Sequence, residues 1–184
     1  FRRELELLID RKHTAMFGWF KRPSIVAPIA TVSLLFAATV AEVKDSIPEF
    51  DPQAGADSSK EEIELVGHFY HLIYDSLAIV VRNAAKYADR SRPLKRKFEI
   101  VRDKGKRLVV EFSSSISPTD DPGDVSAVIE ERKLADFLDA NMYEDKSGIS
   151  KLLLLAHNRK EFVLDQYEVV GNEVLVRLIY ALEH

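Results

Sequence analysis

Asn83 and Lys86, in the stretch Asn83-Ala84-Ala85-Lys86-Tyr87, place an amide and an ammonium three residues apart near the end of an apolar helical pattern. That spacing puts them on neighbouring positions of one helical face. An amide oxygen can ligate Mg²⁺, which takes oxygen donors and keeps several waters. A lysine beside it can pair with the phosphates that the metal neutralises. The bland alternative is that both residues form the wet side of an amphipathic helix, and these residues alone do not choose. A second anion-seeking feature lies downstream in Lys146-Ser147-Gly148-Ile149-Ser150-Lys151. Unpaired N–H groups at a helix start attract anions, Gly148 permits close backbone approach, and Ser147, Ser150 and Lys151 can add donors. Its alternative is a helix cap flanked by surface lysines.

Periodicity predicts the elements that would position these groups. Ile63, Val66, Phe69, Tyr70, Ile73, Leu77, Val80 and Val81 form a broad apolar stripe, the mark of a long amphipathic helix reaching about Ala88. Ser58 or Ser59 can cap it, with Glu61 or Glu62 completing a capping box. Arg90 to Pro93 breaks it. Residues 97–102 and 107–113 alternate as two strands around Asp103-Lys104-Gly105, and residues 161–170 and 173–181 do so around Gly171-Asn172; both are hairpin signals. Between the hairpins the sequence predicts a loop over 113–124 and a helix over 125–140 with Val128, Ile129, Leu134, Phe137 and Leu138 inward. A short apolar helix follows over 149–157. Upstream, a helix is expected over 2–20 and another from Pro28, tolerated in a first turn, to Ser46. A turn-rich acidic loop follows over 48–59.

The 184-residue chain is 46% hydrophobic and 30% charged, enough for one packed domain with extra elements. Its net charge of −4 argues against nucleic-acid binding through the phosphate backbone. The lack of cysteine excludes disulfides and thiolate metal sites. Residues 24–41 form an uncharged apolar run at the lower limit of a membrane span. Pro28, Thr31, Ser33 and Thr39 dilute it, and the pattern continues through Val43 and Ile47 across Glu42, Lys44 and Asp45. A helix buried against protein is therefore expected, not a membrane partner. The start at Phe1 and the ending Leu182-Glu183-His184, like the beginning of an expression tag, suggest a piece of a longer protein.

Long helix, hairpin, loop, helix, glycine-containing turn, helix, hairpin predicts an α/β two-layer sandwich. A mixed sheet from two hairpins would carry helices packed on one face, with an N-terminal helical extension. This order, with Asn-Ala-Ala-Lys-Tyr closing the long helix, resembles the ATP-binding domain shared by histidine kinases, type II topoisomerases, Hsp90 and MutL (the GHKL, or Bergerat-fold, ATPases). The resemblance covers residues 60–181. It leaves 1–59 as an N-terminal helical segment with an acidic loop and 182–184 as a tag scar. It implies that Asn83 holds Mg²⁺ against nucleotide phosphates and that Lys86 and Tyr87 match the Lys/Arg-Tyr/Phe pair of the histidine-kinase branch. Gly148 stands at the phosphate loop, alone where the family has several glycines. Hydrolytic members carry a water-activating glutamate four residues before the asparagine, where this chain has Ile79. Where the family has Asp-x-Gly-x-Gly, whose aspartate reads the adenine amino group, this chain has Ser113-Ser114-Ser115-Ile116-Ser117. The later Asp121-Pro122-Gly123 fits half of that pattern. It is either a displaced adenine site or, as such sequences more often are, a turn or helix cap.

The resemblance implies a divergent ATP-binding domain with ATP and Mg²⁺ as cofactors between the Asn83 helix and the Gly148 turn. It would act in the cytoplasm as a nucleotide-dependent switch on other domains of a parent protein, with a second copy of the chain as a further partner. No catalytic residue can be named, so activity is a weak ATPase or none. The alternative is a non-catalytic pseudo-ATPase scaffold for protein interaction or dimerisation, favoured by Ile79 and the missing aspartate. His68, His71 and Asp75 could line a metal site, but the spacing is awkward and hydrogen-bonded, partly buried histidines are expected. The basic run from Arg90 to Lys97 is a solvated strand edge or a patch that steers phosphates.

Overall fold

The computed structural model describes residues 30–50, 52, 63–65, 67–103, 105–134 and 148–182. The expected helix over 2–20, the start of the next at Pro28, most of the acidic loop, and residues 183–184 lie outside the described residues, as do Ser147, Phe137, Leu138 and the His68 side chain. Thr31 caps the first described helix, α1 (Val32–Ser46), its Oγ1 accepting the Leu34 N–H at 3.1 Å. Ala30–Thr31 (β1) pairs antiparallel with Glu64–Leu65 (β2). The expected extension of the long helix back to residue 60 is therefore corrected: Ile63 and Leu65 are buried while Glu64 is exposed, a period of two that suits a strand. The Val32 N–H donates to the Ile63 carbonyl at 3.0 Å. The long helix, α2, spans Gly67–Tyr87. α1 buries Val32, Leu35, Phe36, Thr39 and Val43 and packs along α2 within the shared core. No described helix is long and apolar enough to cross a membrane.

The main sheet consists of β3 (Lys95–Val101), β4 (Arg107–Ser115), β5 (Phe162–Val170) and β6 (Glu173–Ala181), ordered β3-β4-β6-β5. Every pairing is antiparallel. The sheet is thus not mixed as expected: each hairpin closes locally, and the two join through oppositely directed β4 and β6. Gly105 (φ 95°) and Gly171 (φ 62°) make the hairpin turns, conformations that a side chain would strain. Register aligns Phe98, Val110, Leu178 and Leu164 across one face, with Ile100, Leu108, Tyr180 and Phe162 beside them. The helices cover this face. The other face carries Arg177 between Glu111 (3.3 Å) and Asp165 (3.6 Å). Between Leu164 and Gln166 the register slips. This bulge moves the inward phase of β5 from Phe162 and Leu164 to Tyr167 and Val169.

α3 (Pro122–Leu134) and α4 (Gly148–Asn158) complete the described elements. Asp121 Oδ1 accepts the N–H of Gly123 at 2.8 Å and of Asp124 at 3.3 Å, and Pro122 takes the first helical position. Asp121-Pro122-Gly123 is a helix cap, so α3 starts earlier than its apolar pattern suggests. Of its expected inward residues, Ile129 is buried, whereas Val128 and Leu134 are 52% and 86% exposed. α3 lines a cavity with Val125, Val128 and Ile129.

The core holds a buried phenol. Tyr180 Oη lies 2.5 Å from Ser76 Oγ, whose one proton goes to the carbonyls of Leu72 (2.8 Å) and Ile73 (2.9 Å), so Tyr180 is the donor. Burial pushes the phenols of Tyr180 and Tyr167 above their ordinary value. In the unfolded chain they ionise near about pH 10; folded, they keep their protons beyond it. The unfolded chain then binds fewer protons, so this stability is complete below that pH and is lost as pH rises through it. Denaturant midpoints measured from about pH 8 to about pH 11 should fall above about pH 10. Phenolate absorbance of the folded chain should lag that of the denatured chain, and superimposable titrations would contradict this.

Candidate functional site

Asn83 lies near the end of α2, and its Nδ2 donates to Tyr167 Oη of β5 at 3.3 Å. Tyr167 is 8% exposed. Burial holds its phenol above the ordinary value, and the hydrogen bond from Asn83 offsets part of that rise. α4 begins against the same amide: a Cβ on Gly148 would sit 2.6 Å from Asn83 Nδ2 and 2.7 Å from Oδ1. Only a glycine lets the first turn of α4 come this close. An amide on α2, a helix start on α4 and a phenol on β5 therefore meet, although they are far apart in the chain.

They meet on the wall of a cavity of about 740 Å³, within the range of small-molecule sites. Phe112, Val174 and Val176 of the sheet form its floor, Val80, Ala84 and Tyr87 one wall, and Val125, Val128 and Ile129 of α3 the other. The end beside the Ala88–Ile116 bridge is lined by Ser114, Ser115 and Thr119. Asp120, Asp121, Asp124 and Glu131 give the lining an acidic balance, against Arg132 as its one basic residue among those described. Among the described residues no group of three or more His, Cys, Asp or Glu could hold a metal ion. The His68, His71 and Asp75 grouping includes His68, whose side chain lies outside the described residues; burial pushes the Asp75 carboxyl up, with His71 and Arg159 drawing it back. Asn83 Oδ1 fits Mg²⁺ only as one donor in a shell completed by ligand and water.

The other expected site residues are placed as follows. Tyr87 lines the cavity and is 57% exposed. Lys86 and Lys151 lie outside its lining. Ser150 is buried and its Oγ donates to the Arg132 carbonyl at 3.5 Å, so this hydroxyl ties α4 to the end of α3. Ile79 packs against the core. In the basic run, Arg90 pairs with Glu49 (3.7 Å), Arg92 with Asp89 (3.6 Å), Lys95 with Glu173 and Lys97 with Glu99. These side chains are spent on neighbouring carboxylates, away from the lining of the large cavity. Sequence reasoning passed over Tyr167 and Arg132. The signal for Tyr167 was the break in strand alternation after Leu164.

No protein-family model matches the chain. A curated relative, the Detocs histidine-protein kinase DtcA of Vibrio alginolyticus, is 29% identical over 152 residues. The match covers 83% of this chain but 15% of that protein, so the chain spans a small part of its relative's length. Among solved structures, the mycobacterial sensor histidine kinase MprB superposes with a TM-score of 0.52 at 9% identity, over 84% of this chain and 97% of that one. The fold is that of histidine-kinase ATP-binding domains. Over most of its length the chain is similar to part of a histidine-protein kinase, and it shares its fold with a sensor histidine kinase.

Proposed function

We propose that the chain is the divergent ATP-binding domain of a larger protein, acting as a nucleotide-dependent switch in the cytoplasm. The observation that carries this is the contact between the Asn83 amide and the Gly148 helix start on the wall of one large cavity. The base would lie over the apolar floor of Phe112, Val174 and Val176. The phosphates would face the start of α4, where backbone N–H groups attract anions. Asn83 Oδ1 would be the protein's donor to Mg²⁺, and the metal would shield the phosphates from the carboxylates of α3. Binding, not turnover, is the primary event, because Ile79 stands where a base would be needed and cannot accept a proton. α3 borders the ligand space, so an occupied cavity would bias its position. That bias would offer other domains, or a second copy of the chain, a state-dependent surface.

Calorimetric titration with ATP and Mg²⁺ tests this. Saturable binding is expected, weakened by about tenfold or more in Asn83→Ala, a loss of roughly 1.4 kcal/mol. The second reading, an emptied fold used as a scaffold, is favoured by the acidic lining and by serines in place of the adenine-reading aspartate. A folded protein with no binding tighter than about 1 mM would leave the scaffold.

A further inference from the structure

We propose that Ser114 reads the base of a bound nucleotide and that its hydroxyl admits purines with an exocyclic amino group and purines with an exocyclic oxo group alike. The proposal rests on the nucleotide reading of the cavity, with the base over the apolar floor. On β4, Leu108, Val110 and Phe112 are buried in the shared core on the helix-covered face, and strand alternation puts Ser114 next on that face. Its register partner is Val174, part of the cavity floor. Ser114 thus continues an apolar row with a hydroxyl, half-buried on the cavity lining. Two residues on, the bridge between Ile116 and Ala88 holds this end of β4 against the end of α2. The other polar groups nearby are committed or more exposed. Ser113 and Ser115 fall on the opposite phase of the strand, and the Ser113 hydroxyl donates to Glu173. The Thr119 hydroxyl lies 2.8 Å from Ser117 Oγ and donates to Asp120 Oδ1 at 3.3 Å. Asp121 Oδ1 caps α3, and Asp120, Asp121 and Asp124 are all exposed. Among the described residues, the Ser114 hydroxyl has no hydrogen-bonding partner, so a bound ring can claim it without breaking a bond.

The two kinds of purine present edges of opposite polarity. Adenine shows an amino donor beside a ring nitrogen that accepts; hypoxanthine and guanine show an oxygen that accepts beside a ring N–H that donates. An ionised carboxylate only accepts, whereas a serine hydroxyl carries one donor and two acceptor lone pairs and rotates to suit its partner. Strong rejection of the wrong base requires a polar group that the wrong base leaves unpaired. A rotating hydroxyl is paired by either edge, so it contributes affinity without choosing between them.

The test is calorimetric titration with ATP and with ITP, the inosine triphosphate whose base carries an oxo group where adenine has its amino group, both with Mg²⁺. The wild-type chain should bind the two within about threefold of each other, less than one neutral hydrogen bond is worth. Parity alone would also come from a base that nothing reads, so the variants decide. Ser114→Ala should weaken both nucleotides equally, by about two- to tenfold. Ser114→Asp should separate them by about tenfold or more, because one of the two edges then faces an acceptor with an acceptor. Ser114→Asn has the same size but an amide that can turn either end to the base, and should keep them within about threefold. Unequal or absent weakening in Ser114→Ala, or parity in Ser114→Asp, would overturn the assignment of Ser114. A wild-type preference of about tenfold or more would overturn the tolerance. Each of these leaves nucleotide binding standing, whereas a folded wild type that binds neither nucleotide overturns both readings. Should Ser114→Asp fail to fold or to bind, Ser114→Ala decides by the same criterion.

Discussion

Phe112→Ala should cost about 3–5 kcal/mol of folding stability, the range for emptying a buried aromatic site. Phe112 is 2% exposed at the centre of an aromatic trio. Its ring centroid lies 5.8 Å from that of Phe36 in a stacked pair and 6.2 Å from that of Phe98 in an edge-on pair. Such pairs add about 0.5–1.5 kcal/mol beyond area burial. The trio joins α1 to both strands of the first hairpin, and Arg96 lies over the Phe36 ring, 4.5 Å from its centroid, so neighbouring groups cannot collapse freely into the void. Against a typical domain stability of about 5–15 kcal/mol, the loss takes a third or more. Denaturant unfolding should show the midpoint falling with an unchanged slope. Because Phe112 also floors the large cavity, the variant should bind ATP more weakly even where it remains folded. A cost below about 1 kcal/mol would mean that the trio relaxes around the hole.

The hairpins were legible because local chemistry determines them. Alternating residues flank glycines that must take positive φ, and the second turn, Gly171-Asn172, lies where the sequence reading puts it. The end of α2 was legible for a similar reason, since the charged and proline-containing stretch after Ala88 cannot continue a helix. β1 and β2 were not legible. A two-residue strand has no period to detect, and the pairing of Ala30 with Leu65 is a long-range event. Ile63 and Leu65 fit a helical stripe as well as they fit a strand, and only the partner strand decides. The same limit applies to the site. Asn83 and Gly148 each announced an affinity for anions or metals, but their contact depends on how α2 and α4 dock. Tyr167 was hidden by the bulge that aims it. The acidic cavity wall was hidden because charges at the start of α3 look in sequence like any solvated helix face.

Gly148→Ala should leave the fold standing and disable the site. In isolation the change restricts the unfolded chain and so favours folding by about 0.4–1 kcal/mol. Here the new methyl would come within 2.6, 2.7 and 3.1 Å of Asn83 Nδ2, Oδ1 and Cγ, an overlap that must be relieved by movement, typically at about 1–3 kcal/mol. Either α4 or the amide must give way. α4 is anchored by Leu152 at 0% exposure and by the Ser150–Arg132 hydrogen bond. The amide is the far end of a side chain held by a single bond of 3.3 Å to Tyr167. The amide should therefore swing, with the melting temperature little changed and Mg²⁺-dependent ATP affinity down by about tenfold or more. A double-mutant cycle with Asn83→Ala separates the two responses, since removing the amide also removes the overlap. Stability effects of the two changes should then be non-additive by about 0.5–3 kcal/mol. Strict additivity would show that the methyl and the amide do not collide, and wild-type affinity in Gly148→Ala would show that the close approach of α4 to Asn83 does not serve ATP binding.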